Sequence, residues 1–231
     1  MAEPRATILV VEDEGEIRRF LRSALDVAGY RVVESGSGRR GAIDAGTHKP
    51  DLAIVDLGLP DIDGVDVIRS IRRWSPMPII VLSARVQEQV KVGALDAGAN
   101  DYVTKPFSVG ELLARVRAAL RSVVRTRAGD TRLRLGEVTL DLEGRKATRA
   151  GGAVHLTPIE FRLLRALAAQ LGMVVTHRQL LREVWGPTHE QDTHYLRIYM
   201  KQLRDKLEAD PERPRHLVTE TGVGYRMVAD D

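Results

Sequence analysis

The chain contains no cysteine. That excludes a disulfide framework, thiolate chemistry and cysteine-based zinc sites, and it fits a reducing cytosol. No apolar stretch approaches the roughly 18 residues that a membrane-spanning helix needs. The start, Met1-Ala2-Glu3-Pro4-Arg5, runs straight into a strand-like segment and lacks the apolar core of a signal peptide. The expectation is a soluble, cytoplasmic protein with no membrane partner. An excess of either charge is lacking too: residues 1–125 carry 18 Lys and Arg against 17 Asp and Glu, and residues 126–231 carry 17 against 15. Neither half is a polycation, so nucleic-acid binding has to rest on where the charges sit. What is present is 231 residues with 43% hydrophobic content, enough for one large or two ordinary domains with real cores.

The first half is punctuated by short apolar runs that end in polar residues. Leu52-Ala53-Ile54-Val55 stops abruptly at Asp56, and Pro60 and Asp63-Gly64 then turn the chain. Continuous apolar character suits a strand buried on both faces of a parallel sheet. Thr7 to Val11 ends in Glu12-Asp13, Arg31 to Glu34 forms a second strand, Ile79 to Leu82 ends at Ser83, and Asp101 to Val103 leads into Lys105-Pro106. Helical patterns follow each strand, among them about Val86 to Ala97 and Glu111 to about Val124. Five strand–helix units in about 120 residues predict a parallel sheet wound on both sides.

In a flavodoxin-like order the ends of strands one and three are neighbours at the switch point, where such sheets bind ligands. Asp56 alone reads as a turn or helix-capping aspartate, Glu12 and Asp13 as helix-dipole charges, and Ser83 as an N-cap. Together they put three carboxylates in one small volume, which calls for a cation. An all-oxygen set without His or Cys favours magnesium or manganese. The metal would draw a phosphoryl donor to Asp56, with Lys105 and Ser83 contacting the phosphoryl oxygens.

Glu12-Asp13, Asp56, Ser83 and Lys105-Pro106 resemble the active-site set of the receiver domain of two-component response regulators, over about residues 6–122. The resemblance implies the sheet order 2-1-3-4-5, with Asp56 accepting phosphate from a sensor histidine kinase. It implies magnesium on Glu12, Asp13, Asp56 and the Gly58 carbonyl, a switch pair of Ser83 and Tyr102, and a cis peptide bond before Pro106. It also implies a homodimer formed on phosphorylation, pairing Lys91 with Glu111 and Asp101 with Arg115 between subunits around an apolar centre that includes Leu95. Asn100 departs from the aspartate usual in that surface, so facing Arg117 it would offer at best a hydrogen bond.

Residues 123–131 read as a polar linker, and from 132 the pattern changes. Leu133–Leu135, Val138–Leu140 and Ala147–Arg149 alternate, with turns at Glu143-Gly144 and Gly151-Gly152, and predict a small antiparallel sheet. Three helices follow. Thr157-Pro158-Ile159-Glu160 is a capping box with proline at the first position, Thr176 caps the second helix, and the third runs from about Thr193 to Glu208. A hairpin over His216–Thr219 and Gly224–Val228 completes a winged helix-turn-helix. On the third helix Leu196, Met200, Leu203 and Leu207 share one face. His194, Ile198, Lys201, Gln202 and Asp205 lie opposite, with Arg197 and Arg204 on one flank and Tyr195, Tyr199 and Lys206 on the other. Hydrogen-bonding groups between guanidiniums suit a major groove, with base edges at the centre and phosphates at the flanks.

Residues 155–164, Leu180–Gly186 and Thr221-Gly222-Val223-Gly224-Tyr225-Arg226 resemble the OmpR/PhoB winged-helix effector domain over about residues 132–229. Within that family Arg72–Ser75, Trp185-Gly186-Pro187 and His194–Met200 resemble regulators of a potassium-uptake operon. The resemblance implies double-stranded promoter DNA and RNA polymerase as partners, with Thr221 and Gly222 at the wing. Thr221 stands where many relatives carry arginine. The reading is of a regulator and not an enzyme: phosphatases of the haloacid-dehalogenase type need a second Asp where this chain has Gly58. A DNA-binding protein whose receiver is a phosphorylation-independent docking module is the alternative.

Overall fold

The computed structural model describes residues 5–84, 87–128 and 131–230, with backbone alone over 124–128. The expectations placed on residues 1–4, on Val86 and on Gly129-Asp130 of the linker concern residues outside that set. The chain divides into two compact units, Met1–Val123 and Val124–Asp231.

The first unit alternates strand and helix: β1 Thr7–Val11, α1 Gly15–Val27, β2 Arg31–Ser35, α2 Gly38–His48, β3 Leu52–Asp56, α3 Gly64–Arg72, β4 Ile79–Ser83, α4 Glu88–Asp96, β5 Asp101–Thr104 and α5 Val109–Ala128. Its sheet has the order β2-β1-β3-β4-β5, parallel throughout. β3 and β4 are buried along their whole length, which is why they read as unbroken apolar runs rather than alternating ones. Ser37 and Asp63 cap α2 and α3 with side-chain oxygens on backbone N–H groups. At Gly64 a Cβ would collide with the Asp56 carbonyl oxygen and Leu57, so only glycine lets the chain fold back this tightly against the end of β3. The helix expected to end near Val124 continues to Ala128, so helical backbone occupies much of the segment read as linker.

The second unit opens with β6 Arg132–Leu135, β7 Val138–Asp141, β8 Lys146–Arg149 and β9 Gly152–Val154, an antiparallel sheet in that order. Then come α6 Pro158–Ala169, β10 Val174–Thr176, α7 His177–Trp185, a 3-10 turn Pro187–His189, α8 Thr193–Leu207, β11 Leu217–Glu220 and β12 Gly224–Met227. β10 joins the hairpin in the order β10-β12-β11. Both capping boxes form, Thr157 with Glu160 and Thr176 with Gln179. One core gathers Leu133, Leu140, Phe161, Leu164, Leu180, Leu196, Met200, Leu203 and Tyr225, so the buried face of α8 cannot rotate outward without emptying it.

Two buried carboxylates fix the C-terminal end of α8. Glu160 accepts from Lys206 Nζ at 2.7 and 2.8 Å. Burial alone would raise its carboxyl, yet Lys206 and the Thr157 N–H hold it below the usual range. Glu208 accepts from the backbone N–H groups of Arg215, His216 and Leu217, anchoring the start of β11 against the end of α8.

Candidate functional site

The β1–β3 register pairs Val11 with Val55, so the next residues, Glu12 and Asp56, emerge side by side at the carboxyl edge of the sheet. Carboxylate oxygens of Glu12, Asp13 and Asp56 lie within 4.8 Å of one another. Glu12 is 0% and Asp56 6% exposed. Lys105 reaches across from the end of β5, its Nζ 2.8 Å from Glu12 Oε2 and 2.9 Å from Asp56 Oδ2. The Lys105 N–H donates to the Ser83 carbonyl, which fixes its backbone beside β4, and the Lys105–Pro106 peptide bond is cis. Gly58 donates its N–H to Asp56 Oδ1 at 3.2 Å. Ser83 is buried at the end of β4.

Burial, then the charge of Asp56, push the Glu12 carboxyl up, against the opposing hydrogen bond from Lys105. Burial works to lower the Lys105 ammonium, but its bonds to Glu12 and Asp56 prevail and raise it. One ammonium cannot balance three carboxylates. The donor set, hard oxygens at chelating separation, fits a magnesium or manganese ion.

Residues read as a dimer face have partners within their own chain. Leu95 is 1% exposed; it belongs to the core of its own unit, because α4 turns this residue toward the sheet. Arg115 binds Asp101 through Nη1 at 3.0 Å and Glu111 through Nη2 at 2.9 Å, both within the chain. Lys91 Nζ lies 5.3 Å from the centroid of the buried Tyr102 ring. Within its own chain the Oδ1 of Asn100 accepts from Arg72 Nη2 at 2.7 Å and from the Ile79 N–H at 2.9 Å, and Arg117 is exposed on α5.

Arg72, part of the Arg72–Ser75 stretch, is the donor that organises this corner. Its guanidinium also donates to the carbonyls of Ser75, Met77 and Gly98, and burial lowers its pKa to about 10. Every acceptor in these bonds is neutral. Asn100→Asp would therefore supply a carboxylate to an already buried cation and is expected to stabilise the first unit by about 1–2 kcal/mol. Urea denaturation measures this. Tighter dimers with unchanged stability would instead place residue 100 at the subunit surface.

In the second unit α8 presents the expected face. His194, Arg197, Lys201, Gln202 and Asp205 are exposed and Ile198 is 40% exposed, while Leu196, Met200, Leu203 and Leu207 are buried. Two residues of one flank are taken up internally, Tyr199 packed on Trp185 at 5.5 Å between ring centroids and Lys206 on Glu160, while Tyr195 stays exposed. Arg204, the flank guanidinium expected to hold phosphate, is bonded within its own unit. Its Nε and Nη2 donate to the Leu217 carbonyl at 3.0 and 2.6 Å, and Nη2 also donates to Thr219 Oγ1 at 2.6 Å. It binds the hairpin because β11 passes beside this edge of α8. Thr221 and Gly222 form the hairpin tip, with Gly222 at φ 73°, and Glu220 and Arg226 close its base with an ion pair of 2.7 Å.

A receiver-type sheet with acidic residues at its carboxyl edge, followed by a winged helix, defines a class: the response regulators that act on DNA. Residues 8–117 match the family model of the response regulator receiver domain, and residues 151–227 match that of the transcriptional regulatory protein C-terminal domain. The chain is 57% identical to the KDP operon transcriptional regulatory protein KdpE of Escherichia coli K12, over 96% of this chain and 98% of that one. It is 49% identical to the transcriptional regulatory protein KdpE of Mycobacterium tuberculosis, over 96% and 99%. Among solved structures, the OmpR/PhoB homologue DrrB of Thermotoga maritima matches with a TM-score of 0.51 at 30% identity, covering 97% of this chain and 100% of that one. The chain belongs to the OmpR/PhoB-type two-component response regulators. No helix among the described residues is long and apolar enough to cross a membrane.

Proposed function

We propose that Asp56 is the phosphoacceptor of a cytoplasmic transcription factor switched by a sensor histidine kinase. The observation that carries this reading is the clustering of Glu12, Asp13 and Asp56 with Lys105 drawn across from β5. An Asp56 carboxylate oxygen attacks phosphorus as the bond from phosphorus to the kinase histidine nitrogen breaks, and the imidazole leaves. Lys105 turns from Asp56 toward the phosphoryl oxygens, and the Ser83 hydroxyl donates to one of them. Glu12, Asp13, Asp56 and the Gly58 carbonyl would hold magnesium, or manganese in its place. When bound, the metal neutralises the carboxylates and the incoming phosphoryl charge.

Phosphorylation shifts the receiver toward a two-fold dimer through α4, β5 and α5, with Tyr102 following Ser83. Lys91, Asp101, Glu111 and Arg115 exchange their internal partners for those of a second copy. Exposed ion pairs such as Arg115–Glu111 contribute only about 0–1 kcal/mol each, whereas Asp101 is buried, so its new partner must replace the bond it gives up. Paired receivers bring two winged helices to adjacent half-sites of promoter DNA and place them for RNA polymerase. His194, Ile198, Lys201 and Gln202 read base edges, Arg197 holds phosphate, and Thr221 and Gly222 approach the minor groove. Similarity to the two KdpE proteins supports a Kdp-type operon as the target.

Incubation with acetyl phosphate and magnesium, followed by intact mass measurement, tests the site. One phosphoryl group is expected on wild type and none on Asp56→Asn or in the presence of a chelator. Equal uptake by Asp56→Asn would remove Asp56 as the acceptor. No uptake by wild type from this donor or from a kinase would favour a receiver that is only a docking module.

A further inference from the structure

The turn from β1 into α1 presents two of the three clustered carboxylates, so its geometry decides whether they converge. Arg18, in the first turns of α1, reaches back over it. Arg18 Nη1 donates to the carbonyl of Glu12 at 2.6 Å and to that of Asp13 at 3.1 Å. From the other side the Glu12 N–H donates to the Ser35 carbonyl at 3.0 Å. The Glu12 peptide is thus held both fore and aft, which sets the direction in which both side chains leave the backbone.

The arginine is itself anchored. Its Nε lies 3.8 Å from Glu34 Oε1 on β2. Its guanidinium packs on Gly36, where a Cβ would sit 3.5 Å from Nη1. Nη1 alone makes both carbonyl bonds while Nε faces Glu34, so the guanidinium holds the turn and its anchor on β2 with different nitrogens, which a single ammonium nitrogen would not do. Charge alone would act the other way: a guanidinium near the acidic cluster repels a divalent cation.

We infer that Arg18 is a positioning residue for the divalent-cation site, holding the Glu12 and Asp13 carbonyls so that both carboxylates face the ion shared with Asp56. This rests on the cation reading proposed above. Groups that orient metal ligands typically change affinity by about 10- to 100-fold when removed; for carbonyl tethers about 10-fold is expected.

The test is a Mn²⁺ titration of the full chain, following loss of the free-ion electron paramagnetic resonance signal. Arg18→Met and Arg18→Lys should both bind Mn²⁺ more weakly than wild type, the former by about 10-fold. Arg22→Met is the control, because Arg22 shares Glu34 at 2.7 Å and makes no bond to the turn carbonyls. It should bind as wild type does. In phosphorylation assays the magnesium concentration for half-maximal rate should rise in Arg18→Met, with the rate at saturating magnesium preserved. Unchanged or tighter Mn²⁺ binding by Arg18→Met would overturn the inference, as would an equal loss in Arg22→Met. If Arg18→Met does not fold, Arg18→Lys decides, and wild-type affinity there overturns it. Wild type that binds no Mn²⁺ removes the cation site and this inference together, whereas binding that ignores Arg18 removes the inference alone.

Discussion

Arg204→Ala is expected to lower the stability of the winged-helix unit by about 2–4 kcal/mol and to weaken operator and random DNA together. The guanidinium bonds two groups of β11 and lies 5.8 Å from the Tyr225 ring centroid. Its truncation leaves the Leu217 carbonyl without a charged donor, and such bonds contribute roughly 1.5–3 kcal/mol each. It also frees the hairpin from α8, so the helix and the wing tip at Thr221 no longer meet DNA at a fixed angle. Lys201→Ala should behave differently. Lys201 is exposed at the centre of the outer face, so its loss should cost about 1–3 kcal/mol on operator, relax one base position and leave thermal stability unchanged. Titrations of operator and random duplexes at several salt concentrations, beside thermal melts, separate the two. Unchanged melting in Arg204→Ala, with a salt slope reduced by about one phosphate contact, would restore it as a phosphate ligand.

Lys105→Met should make the first unit depend on metal. With Lys105 14% exposed, Glu12 fully buried and Asp56 nearly so, removal of the ammonium leaves three carboxylates facing one another. Breaking a buried ion pair by deleting one partner costs about 3–5 kcal/mol. In a chelator the variant is expected to melt well below wild type. Added magnesium should restore most of the difference while phosphate uptake stays slow, because no cation then meets the phosphoryl oxygens. Equal melting of both proteins in the chelator would mean that the carboxylates are not compressed.

Strand ends were legible because β1, β3 and β4 are short apolar runs that stop at a polar residue. Parallel topology then brings Glu12, Asp13, Asp56 and Lys105 together. Periodicity also set the rotation of α8, since four large apolar side chains at helical spacing admit one buried face. What was not legible lies where contact is made across the fold. Arg72 and Asn100 are far apart in the chain, and the remaining acceptors of Arg72 are backbone carbonyls, which carry no side-chain signal. The acceptors of Arg204 include a backbone carbonyl for the same reason. Leu95 fits an apolar dimer centre and a helix core equally well until the pitch of α4 is known. β9 and β10, three residues each, are too short to show alternation, and their strand character comes from pairing with β8 and β12.

Operator binding before and after phosphorylation measures the coupling of Asp56 to DNA. Labelled DNA from upstream of the chain's own gene and a random duplex are titrated with untreated protein, phosphorylated protein and phosphodonor-treated Asp56→Asn. Receiver pairing gives the second winged helix a high effective concentration at its half-site. Phosphorylated wild type should therefore occupy operator at a concentration lower by about 10-fold or more, with random DNA little changed and Asp56→Asn held at the untreated value. Operator affinity that is the same with and without phosphate on Asp56, or that rises equally in Asp56→Asn, would contradict a switch working through this aspartate.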